Sequence, residues 1–133
     1  SVSEHCVHVS LHVPPEYARE ALLHDSAEAY IGDMIRPLKH QVEMSEFRRA
    51  EAEIEMAVFE HFGISSTHES HEAIKKIDDR ILVNEISALS ARPEMYLETP
   101  LLRDLQPLPM DLWCLDPGDA EVIFMDRYQE LFT

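Results

Sequence analysis

Apolar positions in this chain recur three and four residues apart, the spacing of one helix face, and nowhere in the strict alternation of a half-buried strand. The first run opens on Ser1 and Glu4, an S-x-x-E capping box, and predicts a helix to about Val13, ahead of Pro14 and Pro15. Proline at position 15 suits the first turn of a second helix, which the pattern carries to Ile31 with Gly32 as its breaker. Asp33 then predicts a cap for a short helix or turn through Arg36 and Lys39. Ser45 predicts the cap of a long helix whose Phe47, Ala50, Ile54, Val58 and Phe62 fall near one stripe, closed by Gly63. After a polar loop from Ser65 to Ser70, a helix from about His71 to Ser90 carries Ile74, Ile77, Ile81, Leu82 and Leu89. The period lapses from Arg92 to Asp116, where Pro93, Pro100, Pro107 and Pro109 fall. It returns in a last helix, capped by Asp116, opened by Pro117 and running to about Phe132. The predicted fold is all-α: a single domain over residues 1–133, a bundle of about five to six helices, with a proline-rich loop before the last. Tyr96 and Trp113 are read as aromatic caps holding that loop on the core.

Charge narrows the function. The chain carries 26 acidic and 11 basic residues, a net charge of −15. Such a surface repels a nucleic-acid polymer, yet leaves room for a small phosphate ester held by a cation in a local pocket. No apolar run approaches the roughly 18 residues of a membrane span. Cys6 and Cys114 are too few for a disulfide framework, which points to a reducing compartment, the cytoplasm. Eight histidines are many for 133 residues and are the first compositional sign of a metal.

Two places concentrate chemistry. In His24-Asp25-x-x-Glu28, the His and Glu share a helix face, with Asp25 about 100° round from His24. This is either a ligand pair with an acid beside it or ordinary helix surface. Asp78 falls inside an apolar stripe, one turn from Ile74 and from Leu82, whereas Asp79 falls at its edge with Lys75, Lys76 and Val83. A buried carboxylate without a partner is costly, so a cation or donors must face Asp78. His8 and His12 share the face of His5, but three ligands stacked along two turns diverge, so they are read as packed or pocket-lining. Cys6 points about 100° away from His5. His40, His61, His68 and His71 join no constellation and are read as surface or cap residues.

In order along the chain, Ser1-x-x-Glu4-His5, His24-Asp25-x-x-Glu28, Gly32-Asp33, Pro37-x-Lys39 and Lys75-x-x-Asp78 resemble the HD-domain metal-dependent phosphohydrolases. The nearest branch is that of the bacterial 5′-deoxynucleotidases. The resemblance covers nearly the whole chain, best from His5 to Glu85. It implies His5, His24, Asp25 and Asp78 as ligands of one divalent metal. It implies Glu28 as the acid beside the attacking water and Asp33 as a second acid of the site. The Arg-bearing segment that the family carries before its first motif His has no counterpart in the four residues ahead of His5.

Two imidazoles and two carboxylates suit Mn, Co, Fe, Zn or Mg. Such an ion acidifies water and screens charge developing on a phosphoryl group, and Glu28 can orient that water or take its proton. Arg36, Lys39 and Lys75, with Lys76, are the basic residues nearest these motifs and can meet phosphate. The expectation is a phosphohydrolase acting on a phosphate ester of a nucleotide or similar small metabolite, and a possible homodimer. Two alternatives stay open: hydrolysis of a tri- or pyrophosphate, alarmone-type nucleotides included, and a non-catalytic module stabilised by its metal.

Overall fold

The computed structural model describes residues 1–133, and every regular element in it is helical. Eight helices follow in order: α1 (Val2–His12), α2 (Ala18–Leu23), α3 (Glu28–Ile31), α4 (Arg36–Lys39), α5 (Ser45–His61), α6 (His68–Leu89), α7 (Glu94–Leu97) and α8 (Pro117–Phe132). Short 3₁₀ turns precede α2 and α5. No helix is long and apolar enough to cross a membrane.

Helix α1 is the central post. It packs against α2, α6 and α8, and Cys6, Val7, His8, Val9 and Ser10 along it are all buried. Its outer polar groups are therefore matched: Ser10 donates to the Val7 carbonyl, and Arg127 of α8 donates to both the hydroxyl and the carbonyl of Ser10. On one side Val9, Val13, Ala18, Ala21, Ile74, Ile81 and Leu108 form a core shared by α1, α2, α6 and the proline-rich loop. On the other, Cys6, Val7 and Leu22 meet Ile123, Phe124, Tyr128 and Phe132 of α8.

The expected ends of α1, α5, α6 and α8 hold, and several details are corrected. Helix α1 does start on Ser1, whose hydroxyl accepts the Glu4 N–H. The Glu4 side chain does not close the box. It is buried and instead accepts the backbone N–H groups of Trp113, Cys114 and Leu115, each at 2.9 Å. Cys114 takes φ = 53° to turn these three donors onto one carboxylate, a nest of backbone N–H groups. The ring of Trp113 lies 4.1 Å from that of His8. Asn84 and Arg80 of α6 fasten the preceding residues by bonds to the Gln106, Pro107, Leu108 and Met110 carbonyls. The loop is thus strapped to α1 and α6, with only the single turn α7 inside it. Neither aromatic is the buried cap expected: Trp113 touches His8 but is 46% exposed, and Tyr96 is 53% exposed.

The expected second helix breaks at residues 24–27. The His24 ring sits on the Ala21 carbonyl, the acceptor a continuing helix would give to the next N–H, and the chain passes through i→i−3 turns into α3. Asp33 caps nothing: α4 begins after Ile35 with no side-chain cap. Ser45 is the first residue of α5 rather than its cap, and of that helix only Phe59 is fully buried. Helix α6 starts three residues early because Thr67 and Ser70 form a complete capping box. On it, Val83 is buried and Leu89 is exposed, contrary to the expected stripe. His8 is packed as expected; His12 is exposed.

Candidate metal centre

Three elements aim the site. Helix α1 supplies His5, the break after α2 with the first residue of α3 supplies His24, Asp25 and Glu28, and α6 supplies Asp78 and Glu85. Ligand atoms of His5, His24 and Asp25 all lie within 4.8 Å of one another.

The two imidazoles are fixed by their outer nitrogens. Nδ1 of His5 is 2.9 Å from Glu85 Oε1. Nδ1 of His24 is 2.7 Å from the Ala21 carbonyl, which can only accept. Nδ1 of His24 therefore bears a proton, and Nε2 is the nitrogen left to face the site. That Nε2 is buried, has no hydrogen-bond partner, and faces Asp25 Oδ2 at 3.3 Å. A nitrogen and a carboxylate oxygen opposed at this distance call for a positive charge between them, either a proton on the ring or a cation. The same Asp25 oxygen is 3.6 Å from His5 Nε2. This donor set, with outer partners orienting both rings, fits a divalent ion.

Asp78 meets the requirement that its burial imposed. Oδ1 is 3.1 Å from His5 Nε2, and Oδ2 accepts from Arg36 at 2.8 Å. It joins the site through His5 and stands outside the tight triad. Burial raises the Asp78 carboxyl, but its bond to His5 and the charges of His5, His24 and Arg36 outweigh that and hold it below the usual range. For His5, burial pulls down, but Asp78, Glu85 and Asp25 win, and its pKa rises to about 10. A proton on His5 is thus the positive charge that the acids draw in when no metal is bound.

Glu28 borders a cavity of about 310 Å³ with His24, Asp25, Asp78 and the cations Arg36, Lys39 and Lys75. Its burial, with Asp25 and Asp33 beside it, raises its pKa to about 7, near the optimum for exchanging protons at neutral pH. Asp33 is exposed and stands next to Glu28, outside this cavity.

No family model and no solved structure matches the chain. It is similar to the uncharacterized protein YfdR of Escherichia coli (strain K12), 32% identical over 132 residues, which is 98% of this chain and 71% of that protein. The chain belongs to the YfdR family. Since that relative is itself uncharacterized, membership carries no activity with it, and the side chains must speak for the site.

In this YfdR-family site every expected residue except Asp33 reaches the centre or its rim, but none of the three cations is free. Arg36 bridges Asp78 and Asp79 at 2.8 Å each, Lys39 is 2.7 Å from Glu51, and Lys75 is 3.0 Å from Asp79. Lys76 does not line the cavity; it faces residues 104–106. His40 and His71, read as surface residues, line the cavity wall, and so do Glu20, Glu51 and Glu55. Glu85 went unnoticed although it follows Asp78 by seven residues, two turns along the same helix face. Glu51 and Glu55, one turn apart on α5, carried a weaker signal of the same kind.

Proposed function

We propose that this chain is a metal-dependent phosphohydrolase cleaving a phosphate monoester of a small metabolite, of the 5′-deoxynucleotidase kind. The supporting observation is the unpaired, buried Nε2 of His24 opposite Asp25, with a near-neutral Glu28 one turn away on a cavity rimmed by cations. His5, His24, Asp25 and Asp78 would hold the ion. When bound, it lowers the pKa of water and offsets charge on the phosphoryl oxygens. Glu28 takes the proton of the attacking water, and the raised affinity that Asp25 and Asp33 give it for that proton makes the transfer favourable. Arg36 and Lys75 can swing from Asp79 to phosphate oxygens, and Lys39 can do so from Glu51. The reading takes the protein to work in a reducing compartment such as the cytoplasm, which two free cysteines suit.

The test is phosphate release from a panel of deoxynucleoside monophosphates by protein loaded with Mn²⁺, Co²⁺ or Zn²⁺. His24→Ala should lose metal and turnover together. Glu28→Gln should keep the metal and lose roughly 10²–10⁴-fold in rate. Release of pyrophosphate from triphosphates instead would move the substrate class. The pairing of all three cations with carboxylates favours one rival, a metal-stabilised module without turnover. Strong melting stabilisation by metal, with no product from any ester, would establish that rival.

A further inference from the structure

Next to the metal-side cavity, and sharing Asp25 and Glu28 with it, lies a second of about 470 Å³, further along α5. Its walls are Leu22, Leu23, Val58, Phe62 and Phe124, with Tyr30 standing exposed at its edge. The back wall is firm. Phe124 packs onto the core of Cys6, Val7 and Leu22, and Phe62 makes edge contacts with Tyr128 and Phe132 at 5.9 and 5.6 Å. No lysine, arginine or histidine lines it, so it is no place for a phosphate. Its polar rim is Asp25, Glu28 and Asp33, two of which also border the metal-side cavity. The hydroxyl of Ser26, another lining residue, is buried without a hydrogen-bond partner. A cavity this size, mostly apolar with a few convergent acceptors and one idle hydroxyl, has the make-up of a small-molecule site.

We infer that this cavity takes the alcohol part of the substrate: a flat, largely apolar group of about nucleoside size, carrying hydroxyl or amino donors for Asp33 and Glu28. The assignment rests on the hydrolase reading for the phosphate end, since Asp25 and Glu28 line both cavities. It also gives Asp33 a use its exposed position otherwise lacks, as acceptor for a substrate hydroxyl.

Two measurements test it on the full chain. The first is binding of deoxyadenosine, which has no phosphate, to metal-free protein by calorimetry. The second is kcat/KM for phenyl phosphate relative to glycerol phosphate. Val58→Trp fills the cavity from α5, and Ala29→Trp fills it from the exposed rim, where a folding defect is not expected. Met56→Trp adds the same bulk to the solvent side of α5, where Met56 is 70% exposed. The expected result is a tenfold or greater loss of deoxyadenosine affinity, and of the phenyl-to-glycerol ratio, in both filling variants and in neither the wild type nor Met56→Trp. Deoxyadenosine binding that both filling variants leave untouched overturns the assignment while leaving the hydrolase reading intact. So does a dimer in sedimentation that Ala29→Trp dissolves, because a second copy would then be the occupant. Variant-sensitive nucleoside binding with no ester turned over keeps the cavity assignment and sinks the hydrolase.

Discussion

Glu4 and His5 are neighbours on one buried helix, yet their surroundings are built on opposite plans. Around Glu4 the accounts of donor and acceptor close: three backbone N–H groups and His8 converge on its carboxylate. These bonds outweigh the burial that would raise its pKa and hold it below the ordinary value. Around His5 they do not close. His24 Nε2 has no partner, carboxylates outnumber the histidines, and Glu28 and Glu55 are both pushed up to about 7. A polar cluster that satisfies itself serves the fold. One left short of a cation is what the proposed metal site requires.

The sharpest break of this contrast is Glu4→Ala. Removing that carboxylate orphans three buried N–H groups and should cost roughly 4 kcal/mol of stability in urea unfolding, whatever metal is present. A wild-type-like midpoint would show that the strap is decorative. Next comes metal itself. A divalent ion at a hundredfold excess over its Kd should add about 2.7 kcal/mol, seen as a raised Tm that chelator reverses and that His24→Ala abolishes. Metal affinity should also climb with pH, because His5 must shed its proton before it can ligate.

Glu85→Ala should be milder, lowering metal affinity by roughly ten- to a hundredfold, with Glu85→Gln closer to wild type because an amide oxygen still accepts from His5 Nδ1. Equal affinity in all three proteins would remove Glu85 from the site. The smallest effect is expected at Glu55. Burial, then the charges of Asp25, Glu51 and Glu20, raise its folded pKa above its ordinary value of 4.5 to about 7. The folded chain holds that proton more tightly than the unfolded one. The associated stability is complete below pH 4.5 and fades as pH rises through 7. Glu55→Gln should therefore melt higher than wild type at pH 8 without metal and level with it at pH 4.5. The reverse order would refute the burial argument.

What could be read from the chain alone follows from where the information is local. Pro14-Pro15, Gly63 and Asp116-Pro117 end and start helices by backbone chemistry that needs no neighbours, and those boundaries hold. Helical period assigns Asp78 and Asp79 to different faces, and His5 does reach Asp78 alone; burial does not separate them, since the two side chains are 22% and 20% exposed and Arg36 binds both. The break after Leu23 was hidden, since it depends on where a side chain finds its acceptor. Glu4 had a sound local role as a capping residue and lost it to donors 109 to 111 positions away. Glu85, Glu51 and Glu55 were hidden by ordinariness: acids on a solvated helix face look alike until another element packs across them.

The Glu4 clasp also bears on how the molecule comes into being. The helix at the middle of the bundle leaves the ribosome before the stretch that clasps it, and its buried carboxylate can find its donors only when the residues around Cys114 have been translated. Until then the neighbouring imidazole sits on a post without its stay. A nascent chain stalled before that point should therefore be protease-sensitive and unable to take up metal, however well its early helices have formed.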